Sequence, residues 1–224
     1  MTSIVVLQAG LRSPSTTKML ADELVRETTA AMAGVGHTTE VTTIDIRDHA
    51  HAIADTFLTG FSTSELQTAL DQTTAADALI VVTPTFSASY SGLFKSYIDI
   101  IEAGTLAGKP VILAATGGTE RHSLMLDHAL RPLFVYLGAD PVRTGVFAAT
   151  GDFGGGDGQL TGRVRRAANE LAARLVPAAG ASATPVRDPE QQASDTPVEP
   201  RLPKGFGDDV VPFEDLMNNL GVGR

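Results

Sequence analysis

The composition of this 224-residue chain limits both its fold class and its partners. A hydrophobic fraction of 43% and a charged fraction of 19% are ordinary for a globular protein, and the length is sufficient for one buried core. A net charge of -9 without a dense Lys/Arg run argues against nucleic acid as a partner. Because the chain has no cysteine, it can form no disulfide or thiolate metal site, and any redox chemistry requires a bound cofactor.

The N-terminus predicts a cytoplasmic protein whose first strand begins at once. Residues 1–3 carry no basic charge, and the apolar run at 4–7 is far shorter than the ~18 residues of a membrane span. We therefore expect no membrane partner.

Apolar runs rich in β-branched residues alternate along the chain with segments of helical periodicity. The predicted strands are residues 4–7, 40–46, 78–83, 110–115 and 143–148. The predicted helices are residues 16–32, a segment around Leu66 and Leu70, and residues 93–101, 124–137 and 160–175. We expect Pro84 to end the third strand, because proline lacks an N–H.

This alternation predicts an α/β fold with a parallel sheet and helices on both of its faces. The number of units favours a flavodoxin-like three-layer sandwich with five parallel strands in the order 2-1-3-4-5. We assign this domain to residues 1–177. Residues 178–224 form a Pro-rich linker and C-terminal arm, in which the stretch 178–203 is either an extended arm or disordered.

Ligands of open parallel sheets bind beyond the carboxyl ends of the strands, so the loops after the first, third and fourth strands are the candidate site. The first of these loops joins a buried strand to a helix N-terminus and is rich in hydroxyl groups, which predicts a cradle for a monophosphate. Its candidate contacts are Gly10, Arg12, Ser13, Ser15, Thr16 and Thr17. The alternative is that Ser15 only caps the helix.

The second loop combines small polar residues with two aromatic side chains, on which a planar ring could lie. Its candidate contacts are Pro84, Thr85, Phe86, Ser87, Ser89, Tyr90 and Ser91. The alternative for Phe86 and Tyr90 is packing at the end of the sheet or against another subunit. In the third loop, paired glycines allow the backbone to approach a ligand. Its candidates are Thr116, Gly117, Gly118, Thr119 and His122.

These residues resemble the NAD(P)H-dependent FMN reductase family over about three quarters of the chain. The most specific part of the resemblance is the stretch 84–86 followed by 90–95 and Asp99. The stretches 9–11, 14–17, 121–124, 127–133 and 212–216 resemble the actinobacterial branch that partners with luciferase-like flavin monooxygenases. One departure is that the family usually has Gly-Ser, one further residue and Arg in the first loop, whereas Leu11 follows Gly10 here and Arg12 comes one position earlier.

The resemblance implies FMN as cofactor or substrate, NADPH or NADH as hydride donor, and a homodimer or homotetramer. It also implies that reduced FMN is supplied to a partner monooxygenase. Positioning dominates such a reaction, so we assign no catalytic side chain and no metal. The alternatives are a quinone, azo or chromate reductase that retains FMN, and a non-enzymatic flavodoxin-type electron carrier. The apolar surplus of residues 124–137 predicts that this helix lies at a subunit interface.

Overall fold

The apolar runs of the sequence form the strands of one sheet in the computed structural model, which describes residues 1–153 and 158–176. The strands are β1 (Thr2–Gln8), β2 (Thr39–Asp45), β3 (Ala78–Phe86), β4 (Ser89–Tyr90), β5 (Pro110–Gly117), β6 (Asp140–Pro141) and β7 (Val146–Ala149). The parallel order is β2-β1-β3-β5, with β6 and β7 both pairing with β5 as an interrupted fifth strand. The predicted order 2-1-3-4-5 is therefore confirmed.

Helices cover both faces of this sheet. They are α1 (Thr16–Gly34), α2 (Ala50–Thr59), α3 (Ser64–Ala75), α4 (Gly92–Asp99), α5 (Arg131–Tyr136) and α6 (Gln159–Leu175). Alternate residues of β1 point to opposite faces: Ile4 and Val6 pack with residues of α1 and α6, whereas Val5 and Leu7 pack with residues of α2 to α5. The central strands are buried on both sides, as their continuous apolar runs predict.

The third strand continues through Pro84, so the prediction that proline ends it was wrong. Val82 accepts a hydrogen bond from the Ala9 N–H on the β1 side, and Pro84, two residues later, faces the same side. Because β1 ends at Gln8, the missing N–H of Pro84 costs no ladder bond. β3 extends to Phe86 and pairs with β4, so a short antiparallel hairpin replaces part of the predicted loop.

Two helical segments also differ from the sequence expectation. The helix α2 was not predicted, and Ile53 is its buried residue. The predicted helix 124–137 is a π-helical turn, Leu126–Leu130, that continues into α5. Arg131 donates its N–H to the Leu126 carbonyl, five residues back, and Pro132 has no N–H for the usual bond four residues back.

No helix in the part of the chain that the structure describes is long and apolar enough to cross a membrane. The predicted domain boundary after residue 177 and the predicted C-terminal arm, 178–224, lie outside the described residues.

Candidate functional site

A cleft of about 360 Å³ opens at the carboxyl edge of the sheet. Four chain segments meet there, because β1, β3, β5 and β7 are parallel and end at the same edge. The lining residues are Leu11, Arg12, Pro14, Ser15, Thr16, Thr17, Pro84, Thr85, Phe86, Thr116, Gly117, Gly118 and Thr150. The three loops selected from the sequence thus converge on one cavity.

At one end of the cleft, the loop after β1 presents free hydrogen-bond donors. Ser15 is the N-cap of α1, and its hydroxyl accepts a hydrogen bond from the Lys18 N–H at 3.2 Å. The N–H groups of Thr16 and Thr17 lie in the first turn, where no helix carbonyl is within reach. These donors and the dipole of a 19-residue helix favour an anion here. Capping and anion binding are compatible, because the Ser15 hydroxyl can still donate its own proton.

Arg12 adds a positive charge to this end of the cleft. Within residues 1–153 and 158–176, its guanidinium forms no ion pair, and the N–H groups of Leu11, Arg12 and Ser13 donate to no protein group. Guanidinium and free N–H groups bind phosphate oxygens well. This end of the cleft can therefore hold a phosphate.

A buried hydrogen bond ties this end to the third loop. The hydroxyls of Thr17 on α1 and Thr116 on β5 are 3.0 Å apart, and the two residues are only 3% and 4% exposed. The partners are 99 positions apart in sequence. Since buried hydroxyls that are paired cannot rotate freely, this bond fixes the spacing between the two walls of the cleft.

The glycine Gly10 is required by close packing below the first loop. A Cβ at this position would lie 2.2 Å from Ser15 Oγ and 3.0 Å from Gln8 Oε1, so any side chain would displace the cap of α1. The Gly10 N–H already donates to Gln8 Oε1 at 3.1 Å. The structure thus explains Gly10 through the position of Ser15.

The opposite end of the cleft is formed by the β3–β4 hairpin. Phe86 is 47% exposed at the rim, where a planar ligand can contact its ring. The tip residues Ser87 and Ala88 both have positive φ angles, 48° and 65°. Tyr90 turns away and packs on Phe94, with ring centroids 5.9 Å apart, which agrees with the alternative of packing at the end of the sheet.

Thr85 places a buried polar atom beside the cleft. Its Oγ1 atom is buried and has no hydrogen-bond partner, although Thr85 lines the cleft. A buried unpaired hydroxyl is unfavourable, by about 1 to 3 kcal/mol in typical cases. A polar group of a bound molecule would satisfy it.

The two glycines at the end of β5, Gly117 and Gly118, have different surroundings. A Cβ on Gly117 would lie 2.7 Å from Phe147 Cζ, whereas a Cβ on Gly118 would meet nothing within 4 Å. Gly117 is therefore required by the core, and Gly118 leaves open space in the cleft. A ligand could approach the backbone closely at Gly118.

Many of the predicted contact residues line the cleft. It includes Arg12, Ser15, Thr16, Thr17, Pro84, Thr85, Phe86, Thr116, Gly117 and Gly118. His122 lines a second cleft beyond Gly117, and Gly10 and Ser13 line a third cleft on the other side of Ser15. Outside these three clefts lie Ser87, Ser89, Tyr90, Ser91 and Thr119. Ser91 is buried as the N-cap of α4, where its hydroxyl accepts from the Phe94 N–H.

Sequence reasoning did not select Leu11, Pro14 or Thr150 as contacts. Leu11 and Pro14 lie inside a selected loop but lack the polar groups that were sought there. Thr150 follows β7, the last strand, and the rule that selected the other loops would have found it if applied to the fifth strand as well.

Comparison with known proteins agrees with this architecture. The model of a family described as NADPH-dependent FMN reductase matches residues 2–154. An FMN reductase (NADPH) of Pseudomonas aeruginosa is 39% identical over 150 residues, which are 67% of this chain and 78% of the relative. The NADH-dependent FMN reductase SfnF of Pseudomonas fluorescens is 36% identical over 184 residues, which are 82% of this chain and 95% of the relative.

Solved structures resemble the chain over a similar extent. An oxidoreductase from Corynebacterium diphtheriae superposes with a TM-score of 0.76 at 44% identity, covering 78% of this chain and 97% of that one. The apo form of the NADH:FMN oxidoreductase EMOB superposes with a TM-score of 0.68 at 29% identity, covering 79% and 91% of the two chains.

Proposed function

The chain belongs to the NADPH-dependent FMN reductase family and is an oxidoreductase that uses FMN and NAD(P)H, and we propose that its carboxyl-edge cleft is where FMN binds and receives hydride. When bound, FMN supplies the ring that accepts hydride directly from a nicotinamide. The residues of the chain then have to bind and orient two molecules. Such a reaction requires no side chain that transfers a proton.

The loop after β1 is the proposed phosphate site, and its free donors are the observation that carries the assignment. Arg12 is unpaired among the described residues, and Ser15, Thr16 and Thr17 stand at the start of α1. A flavin phosphate at this position would accept from hydroxyl and backbone donors and would face the positive end of the helix.

The ring of the flavin would extend toward the hairpin. Thr85 could donate its unpaired hydroxyl to a polar edge, and the open space at Gly118 allows the ring to approach the backbone. Phe86 would contact the ring at the rim of the cleft. Because Phe86 is half exposed, one side of the ring would stay accessible to the nicotinamide of the donor.

Anaerobic oxidation of NADPH and NADH, with and without added FMN, tests this function. We expect oxidation that depends on FMN and bleaching of its visible absorbance as the flavin is reduced. Flavin that stays bound through gel filtration, with NAD(P)H oxidised only when a quinone is present, would favour the reductase that retains FMN. If the folded protein oxidises neither donor in the presence of FMN, the assignment of the cleft is wrong.

We further propose that the reduced FMN passes to a partner monooxygenase. The support is the resemblance of the stretches 121–124 and 127–133 to the luciferase-partner branch, together with the exposure of the cleft. Adding a luciferase-like monooxygenase and its substrate should give product that depends on the reductase. Truncation after residue 177 should lower either this coupling or the stability of the oligomer, but not FMN reduction. If the truncated chain retains its mass, its melting temperature, its reductase rate and its yield with the monooxygenase, the arm does not contribute.

Self-association is the third part of the proposal. Of the five apolar residues that suggested an interface, three are buried in the chain's own core, namely Leu126, Leu130 and Phe134, and Leu133 and Leu137 are partly buried against it. However, Val135 and Tyr136 are 58% and 88% exposed, so α5 still offers an apolar surface to a second copy. Light scattering should give a multiple of 23.4 kDa that decreases in Tyr136→Asp. A single-chain mass for the unaltered protein at working concentration would contradict this expectation.

A further inference from the structure

A second cleft, of about 300 Å³, lies beside the proposed flavin site. It is lined by Ala88, Arg121, His122, Leu124, Met125, His128 and Ala129. Two links place it next to the first cleft. Ala88 follows the rim residue Phe86 by two positions, and His122 Cβ lies 3.6 Å from the position of a Cβ on Gly117. The second cleft thus adjoins the hairpin end, opposite the proposed phosphate site.

The polar side chains that line this second cleft are Arg121, His122 and His128. Most arginines in the described part of the chain contact a carboxylate, but Arg121, His122 and His128 form no ion pair there. The nearby Asp127 is engaged by Arg131, with Oδ1 and Nε 3.2 Å apart, which leaves Glu120 as the neighbouring free acid. The Arg121 guanidinium, which has no ion pair among the described residues, is therefore able to contact an anionic ligand.

The remaining lining is apolar. Leu124 is 63% exposed, and Met125, Ala88 and Ala129 complete a wall on which a flat base can pack. A basic rim beside an apolar wall matches the chemistry of a phosphorylated adenosine, whose base is apolar on its faces and whose phosphates are charged.

We propose that this second cleft binds the phosphorylated adenosine end of the hydride donor, with Arg121 and His128 contacting its phosphates. The inference rests on the proposed function, because the nicotinamide of the same molecule must reach the flavin in the first cleft. Each end of the composite site then has its own unpaired arginine: Arg12 for the flavin phosphate and Arg121 for the donor.

Steady-state kinetics with separate variants provides the first test. Arg121→Gln should raise KM for NADPH on the order of tenfold and His128→Gln about threefold, whereas kcat at saturating NADPH stays within about twofold. The FMN dissociation constant should not change. The matched control is Arg166→Gln on α6, an exposed arginine without an ion pair in residues 1–153 and 158–176, which should leave KM unaltered. An unchanged KM in Arg121→Gln would contradict the proposal.

A binding measurement separates this proposal from the reductase assignment. Adenosine 2′,5′-bisphosphate, which carries no nicotinamide, is titrated by calorimetry into protein saturated with FMN. The unaltered protein and Arg166→Gln should bind it equally, and Arg121→Gln should bind it about tenfold more weakly. Equal affinity in Arg121→Gln, or no binding to the unaltered protein at millimolar concentration, overturns the proposal. If the unaltered protein binds the bisphosphate but oxidises no NAD(P)H with FMN, only the reductase assignment fails.

Discussion

The two ends of the cleft are built in different ways. At the α1 end, Ser15 caps a long helix, and the buried hydroxyls of Thr17 and Thr116 bond to each other. At the hairpin end, Phe86 is exposed and the tip residues Ser87 and Ala88 adopt positive φ angles that are uncommon for residues other than glycine. One end is held by tertiary contacts, and the other stands at the surface on a two-residue turn.

This difference indicates separate tasks for the two ends. A phosphate site gains from rigid donors, because donors that are already oriented lose little entropy when the anion binds. A ring that must meet a second molecule needs an accessible face, which an exposed turn leaves open. We therefore expect changes at the α1 end to alter flavin affinity most strongly, and changes at the hairpin to alter stability only slightly.

The largest effect is expected from the double variant Ser15→Ala with Thr17→Ala. It removes the Ser15 hydroxyl, worth about 1.5 to 3 kcal/mol when bonded to a charged group, and the Thr17 hydroxyl that bonds Thr116 across the cleft, so the FMN dissociation constant should rise at least about tenfold. Fluorescence titration of FMN measures it. Thr63→Ala, which removes the equivalent cap of α3, should lower stability without changing flavin affinity. An unchanged dissociation constant in the double variant would show that the phosphate binds elsewhere.

Variants of the two adjacent glycines at the end of β5 should separate effects on stability from effects on FMN binding. Gly117→Ala places a Cβ against Phe147 and should lower the free energy of unfolding by about 1 to 3 kcal/mol. Gly118→Ala projects into open space, so it should leave stability nearly unaltered while weakening FMN binding several-fold. Urea unfolding and FMN titration of both variants check this. If Gly118→Ala leaves FMN affinity intact, the ring does not approach that backbone.

Replacing the strained hairpin tip should stabilise the protein modestly. Ser87→Asn with Ala88→Gly supplies residues that two-residue turns with positive φ prefer, so the free energy of unfolding should rise by about 0.5 to 1 kcal/mol. Thermal unfolding should shift upward by about 2 °C. Ala30→Gly, on the exposed face of α1, should lower the melting temperature. A lower melting temperature in the hairpin variant would show that the turn is not strained.

The smallest effect is expected far from both ends of the cleft, at Glu170 on α6. Burial raises the pKa of this carboxyl. Hydrogen bonds from the Thr144 N–H and hydroxyl, at 2.8 and 2.7 Å, and the nearby Arg143 together lower the pKa by more than burial raises it, so the net pKa is depressed. A depressed pKa contributes stability above the ordinary value of 4.5, and this contribution disappears as pH falls through the folded pKa.

Glu170→Gln should therefore be less stable than the unaltered protein at pH 7, and the difference should disappear as pH falls below 4.5 and through the folded pKa. Urea unfolding over this pH range measures the difference. FMN affinity should not change, because Glu170 does not line the cleft. A difference that persists at low pH would show that shape rather than charge explains the effect.

Strand order and the edge of the sheet that binds ligands could be predicted from the sequence alone. The run 78–83 is almost continuously apolar, as is typical of a strand buried on both faces. In the segment 16–32, apolar residues recur at helical spacing. These patterns arise from residues that are close in sequence, so they can be recognised without knowledge of the rest of the chain. The loops that follow such strands then converge because parallel strands end together.

The tertiary structure decided the features that depend on distant partners. The passage of β3 through Pro84 depends on where β1 ends, and the Thr17–Thr116 bond joins residues that no sequence pattern connects. Thr150 enters the cleft because β7 pairs beside β5. The sequence by itself determined most of the segments that form strands and helices, because periodicity is local. Only tertiary contacts decided which side chains share the cavity, because each such contact requires two distant segments to be positioned at once.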